Sequence, residues 1–110
     1  FYADLNGGAN RFYLKPAAAV ISARRAGTTA TWDQINKYFG LMQMPIITSR
    51  YWNMVHGNRP EEVVLDAEGL QTMRNIGKNM AWMLQCIACA KQHNIPQPQP
   101  DVADSTNFIH

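Results

Sequence analysis

The chain has 110 residues, 46% of them hydrophobic and 16% charged, with a formal charge of +2. That length suits one small domain with a modest core, and the balance excludes a disordered chain. So weak a positive charge does not mark a nucleic-acid binder, no apolar run is long enough to cross a membrane, and no secretory leader is legible; the expectation is a cytoplasmic protein.

Residues 1–15, FYADLNGGANRFYLK, read as a lead-in, a helix end and then a loop broken by Gly7 and Gly8. The abrupt start at Phe1 suggests that an upstream part precedes it. After Pro16, AAAVISA (17–23) is short, apolar and closed by polar residues, the pattern of a parallel strand buried on both faces. A helix is expected from Thr31. Thr31 and Gln34 have capping-box spacing, and Trp32, Ile35, Phe39 and Met42 follow at helical intervals with Tyr38 beside them. Beyond Pro45, IITSRYW (46–52) is β-branched and aromatic and reads as a second strand. NMVHGNRP (53–60) reads as a long loop, with a short helical turn opening at Pro60.

A long amphipathic helix is predicted over 66–93. Leu70, Met73, Ile76, Met80, Met83, Leu84 and Ile87 form its apolar face, and Gly69 and Gly77 fit if the backbone lies close to another element. Asn94 and Pro96 end it, and the Pro-rich tail (94–110) is extended, with Phe108 and Ile109 as a docking point. The order strand, helix, strand, helix predicts an α/β fold with a parallel sheet and right-handed crossovers. Two strands alone do not make such a sheet, so further strands come from upstream or from a partner chain.

In open α/β sheets ligands gather beyond the C-terminal strand ends. The turn after the first strand offers Arg24, Arg25, the hydroxyls of Ser22, Thr28 and Thr29, and backbone N–H groups at a helix start, with Gly27 allowing close approach. It reads either as a solvated loop or as a site for an anion or an electron-rich ring edge. The second strand end offers Tyr51, Trp52, Asn53, Met54 and His56, which are either stacking faces and polar edges or core and interface residues. No Ser-His-Asp or two-carboxylate arrangement is legible, so no catalytic residue is assigned. Asp33, Glu61, Glu62, Asp66 and Glu68 read as helix-start acids. Cys86 and Cys89 form a C-x-x-C pair late in the long helix with no second pair to complete a metal site; two small buried thiols are expected, and no metal.

The segments KPAAAVISARRAGTTATWDQINKYF (15–39), MPIITSRYWNMVHG (44–57), EGLQTMRNIGKNMAW (68–82) and TNFI (106–109) together resemble the C-terminal half of flavodoxin-like NAD(P)H-dependent FMN reductases, relatives of iron–sulfur flavoproteins and multimeric quinone-reducing flavodoxins. The resemblance runs from Lys15 onward. It implies a flavodoxin-like three-layer fold around a parallel sheet, here only the C-terminal strand-helix-strand-helix part of one domain spanning residues 1–110. It implies FMN as cofactor, NAD(P)H as electron donor, a small-molecule electron acceptor and a homo-oligomer. The loop that lies on the flavin ring in that family maps to Ser22, Ala23, Arg24, Arg25, Ala26, Gly27, Thr28 and Thr29. The loop near the active site or a subunit contact maps to Tyr51, Trp52, Asn53 and His56. The family's phosphate-binding loop follows its first strand and a second flavin loop its third; neither falls within this sequence. Nor does the N-terminal cysteine motif of the iron–sulfur members. On the resemblance, FYADLN is the end of the helix after the third strand.

Overall fold

In a computed structural model of the chain, residues 7–101 and 104–109 are described. The reading of FYADLN as a helix end lies outside them. Two short strands and three helices follow in the order β1 (Ile21–Ala23), α1 (Thr28–Leu41), β2 (Met54–His56), α2 (Pro60–Val63) and α3 (Ala67–Gln92). The strands pair in parallel, Ile21 with Met54, Ser22 with Val55 and Ala23 with His56, so the class is mixed α/β with a two-stranded parallel sheet.

The second strand is not where β-propensity places it. Upstream of the ladder, Ala17 and Ile46 form an isolated parallel bridge. From there to the first ladder pair the chain covers four residues on one side (Ala17 to Ile21) and eight on the other (Ile46 to Met54). The surplus must leave the pleat, and it does so over Thr48–Trp52, inside the predicted strand. Asn53 closes this excursion. It is wholly buried, its Nδ2 donates to the Ile47 carbonyl (3.2 Å), and its own carbonyl accepts from the Ile21 N–H (2.9 Å). Strand β2 therefore lies in the stretch predicted to be a loop.

Burial of the first strand is also less complete than expected. Ala17 and Ala19 are buried, but Val20 is 54% exposed and Ser22 is exposed. With only two strands among the described residues, β1 lacks a neighbour on its outer edge.

Helix α1 starts three residues before the expected capping box. Gly27 caps it at φ 89°, a left-handed conformation that an L side chain strains to adopt, and no side chain caps the helix. That turn lets the Gly27 carbonyl accept the first helical bond from the Thr31 N–H (3.0 Å). The Thr31 hydroxyl donates to the same carbonyl (2.8 Å), so it bonds back along the helix rather than capping it. Helix α2 opens at Pro60 as predicted.

Helix α3 matches its predicted span to within a residue at each end. Asp66 caps it, Oδ1 accepting from the Gly69 N–H (2.9 Å), and Asn94 terminates it at φ 56°. Gly69, Thr72 and Ile76 are its buried residues, all in the first half. At Gly69 a Cβ would strike the Asp66 carboxylate and come within 2.9 Å of Val55 Cγ2, so the close approach expected there is real. At Gly77 a Cβ would meet nothing within 4 Å, so the same expectation fails there. Cys86 and Cys89 are exposed, not buried, because the helix has outrun the two short strands. In the tail, Phe108 and Ile109 are 85% and 87% exposed, so the docking expected of them is not seen among the described residues.

The two glycines of α3 give opposite expectations. Gly69→Ala should lower unfolding free energy by about 2 kcal/mol through strain on the Asp66 cap and Val55. Gly77→Ala should raise it by about 0.5–1 kcal/mol by restoring helix propensity in open space. Urea denaturation followed by circular dichroism measures both.

Candidate functional site

Parallel pairing brings two loops out side by side. Ala23 and His56 are the last paired residues of their strands, and the Gly57 N–H donates to the Ala23 carbonyl (3.2 Å) just beyond them. The loops diverge from this bond around an open cleft of about 400 Å³ lined by Arg24, Arg25, His56, Gly57, Asn58 and Glu62. The expectation that both turns leave one end of the sheet holds only for the last part of the second, Gly57 and Asn58 after His56; Tyr51, Trp52 and Asn53 precede β2 and lie at its other end.

The cleft's second wall is built by local constraints. At Gly57 a Cβ would sit 2.7 Å from Val63 Cγ2 and 2.8 Å from its N, so a side chain there would push α2 away. The Asn58 N–H donates to Glu62 Oε2 (2.7 Å), which folds the loop back onto α2. Asp66 Oδ2 accepts from the His56 N–H (2.8 Å), and His56 Nδ1 lies 3.9 Å from the same oxygen. One carboxylate thus joins the end of β2 to the start of α3 and faces the imidazole that lines the cleft. The Asp66 carboxyl is held below its ordinary value of 3.8, first by the Gly69 N–H, then by the His56 N–H, with attraction to the His56 side chain adding to them and desolvation opposing.

The remaining turn residues divide between framework and surface. Thr28 is buried and its hydroxyl donates to Met54 Sδ (3.3 Å), tying the start of α1 to β2, so this hydroxyl is directed into the fold. Ser22, Ala26, Gly27 and Thr29 are exposed, Ala23 is half-buried, and no Cβ would meet an atom within 4 Å at Gly27.

The residues expected to form an acceptor pocket are separated. His56 joins the arginines. Asn53 is buried under the excursion. Tyr51 and Trp52, about half exposed, have ring centroids 4.8 Å apart and planes tilted by 59°. They line another hollow of about 370 Å³ with Trp32, Thr48, Ser49 and Arg50. In its walls Trp32 Nε1 and Ser49 Oγ are buried without a hydrogen-bond partner. Tyr51 also borders a hollow of about 210 Å³ that includes His56, Asp66 and Thr72. The aromatic hollow therefore lies where the chain enters β2 and the cationic cleft where it leaves.

Gly57, Asn58 and Glu62 were not singled out from the sequence as site residues. Their only signal is position, within a few residues of His56 on the way into α2. Among the described residues no helix is long and apolar enough to cross a membrane. No family model matches the chain, and comparison with curated proteins and with solved structures returned no match.

Asp66 carries a pH signature. Its folded pKa lies below the unfolded one, so its contribution is full above 3.8 and is lost as pH falls through the lowered folded value. Asp66→Ala should cost about 1 kcal/mol at neutral pH, and the gap from the unaltered protein should close in acid. Urea midpoints measured from pH 7 down to acid would show that convergence.

Proposed function

We propose that the chain is the flavin-ring-binding part of an FMN-dependent NAD(P)H oxidoreductase with a flavodoxin-like three-layer fold, acting in the cytoplasm on a quinone, a free flavin or a similar small electron acceptor. The observation that carries this reading is the convergence of the two strand-end loops on one cleft, with Arg24 and Arg25 facing His56 across it. FMN, when bound, takes electrons from the nicotinamide and passes them to the acceptor.

The residues present fit the ring portion of such a cofactor. Gly27 leaves its surroundings open to a ligand, and Arg24 and Arg25 supply fixed positive charge that stabilises negative charge on an electron-rich ring edge. Tyr51 borders the hollow that also includes His56, and with Trp32 and Trp52 it offers aromatic surface where the chain enters β2. His56, backed by Asp66, is the group placed to hold or give a proton at the cleft. Tight cofactor binding on this reading also needs the phosphate-binding loop that the family carries after its first strand.

Flavin fluorescence tests the reading. The complete protein should quench added FMN, and Arg24→Ala and Arg25→Ala should each weaken binding by about tenfold, the loss of one charge-assisted hydrogen bond. No quenching at micromolar protein would sink it.

A second reading, a non-enzymatic half-domain that assembles through its open surfaces, draws on a different observation. Among the described residues the outer edge of β1 is unpaired beside an exposed Val20, and Leu65 and Trp82 are 78% and 64% exposed. On that reading light scattering of the 110-residue chain should return a dimer or larger species. A folded, monodisperse monomer would count heavily against it.

A further inference from the structure

The geometry points to a second, separate site: the Cys86/Cys89 pair on the distal half of α3 as a two-sulfur binding site for a soft monovalent cation, copper(I), with His93 supporting one of the sulfurs. This does not rest on the flavin reading.

Both thiols are exposed and sit three residues apart inside an unbroken helix, so they share a face one turn apart. His93 lies one further turn along. Its Nδ1 is 2.9 Å from the Cys89 carbonyl and 3.5 Å from Cys89 Sγ. A carbonyl can only accept, so Nδ1 carries the proton and is a donor that the sulfur can share. Their exposure removes the core role that small, weakly polar thiols would otherwise fill.

Spacing decides between the two things a C-x-x-C pair does. Side chains three apart on a helix have Cβ atoms about 5–6 Å apart, whereas a disulfide needs about 3.5–4.5 Å. A direct bond between these sulfurs would therefore need the helical turn to deform, whereas a bridging ion fits the undeformed spacing. Helix position agrees, since redox-active pairs of this kind are activated at helix N-termini and this one is near a C-terminus.

Donor number then selects the ion. Among the described residues no group of three or more His, Cys, Asp and Glu converges to hold a metal, and Cys86 and His93 are two turns apart, too far to reach one ion together. Zinc wants roughly three or four protein ligands. Two thiolates satisfy a closed-shell soft cation that accepts low coordination, which among common biological metals is copper(I). In the binding step two Cys S–H bonds are lost, two Cu–S bonds form and two protons are released, leaving a bis-thiolate complex with one net negative charge. The His93 N–H faces that charge at Cys89.

The experiment titrates the reduced full chain, without oxygen, against copper(I) held by a chromophoric chelator. A single copper(I) per chain should be withdrawn from the chelator. Cys86→Ser and Cys89→Ser should each abolish withdrawal, with circular dichroism confirming that the helix is intact. His93→Leu should weaken binding by about tenfold, as for other groups that hydrogen-bond a metal ligand, and His93→Gln, which keeps an N–H donor, should restore most of it. No withdrawal by the folded protein, equal withdrawal by the Cys86→Ser/Cys89→Ser double variant, or preferential retention of zinc(II) over copper(I) would each overturn the assignment.

Discussion

Both oxygens of the Asp66 carboxylate are engaged, one by the N–H of Gly69 in the helix it caps and the other by the N–H of His56 at the end of β2. The second bond is what makes a helix cap into a structural joint. A strand of three residues has few ladder bonds of its own, and β2 would be poorly fixed by β1 alone. Asp66 anchors the end of β2 to the longest helix, and Gly69 lets that helix settle against Val55 in the same strand. Whatever the cleft binds is positioned through this joint, because His56 and Gly57 follow directly from it.

A second constraint acts at the other end of β2. Asn53 holds the four surplus residues of the excursion away from the sheet and still presents its carbonyl to Ile21. The aromatic pair Tyr51 and Trp52 is therefore carried on a loop that starts and finishes on the sheet. Such a loop is short and pinned at both ends, which suits a binding surface better than a free hairpin would. The cationic cleft and the aromatic hollow are set by different devices, a glycine-dependent turn onto α2 for one and a buried amide for the other.

Much of the helical architecture was legible. Pro60 and Asp66 mark helix starts by mechanisms that act within a few residues, and Asn94 marks an end in the same way. The failures share a cause in non-local geometry. IITSRYW has the composition of a strand, but pairing with residues 17–23 needs only part of it, and no local propensity encodes how many residues two parallel segments must match. Thr31 and Gln34 have the spacing of a cap, yet the positive φ of Gly27 turns the chain into the helix sooner. The convergence of Arg24 and Arg25 with His56 followed from strand order alone. The placing of Asn53, Asn58 and Glu62 did not, because it depends on the excursion and on the seating of α2.

Helix α3 has a further consequence for how the molecule opens. Its 26 residues extend about 39 Å, but full burial stops at Ile76; beyond it Met80, Met83, Ile87 and Ala90 are only half-buried, and Asn79 Nδ2 donates to the Thr48 carbonyl (2.7 Å). With less buried apolar surface than the first half, these later turns have the lower local stability. The distal turns therefore form a local unit that can melt and re-form while the sheet, the Asp66 joint and the cleft stay intact. The strand-end site and the cysteine-bearing turns belong to different thermodynamic compartments of one small chain.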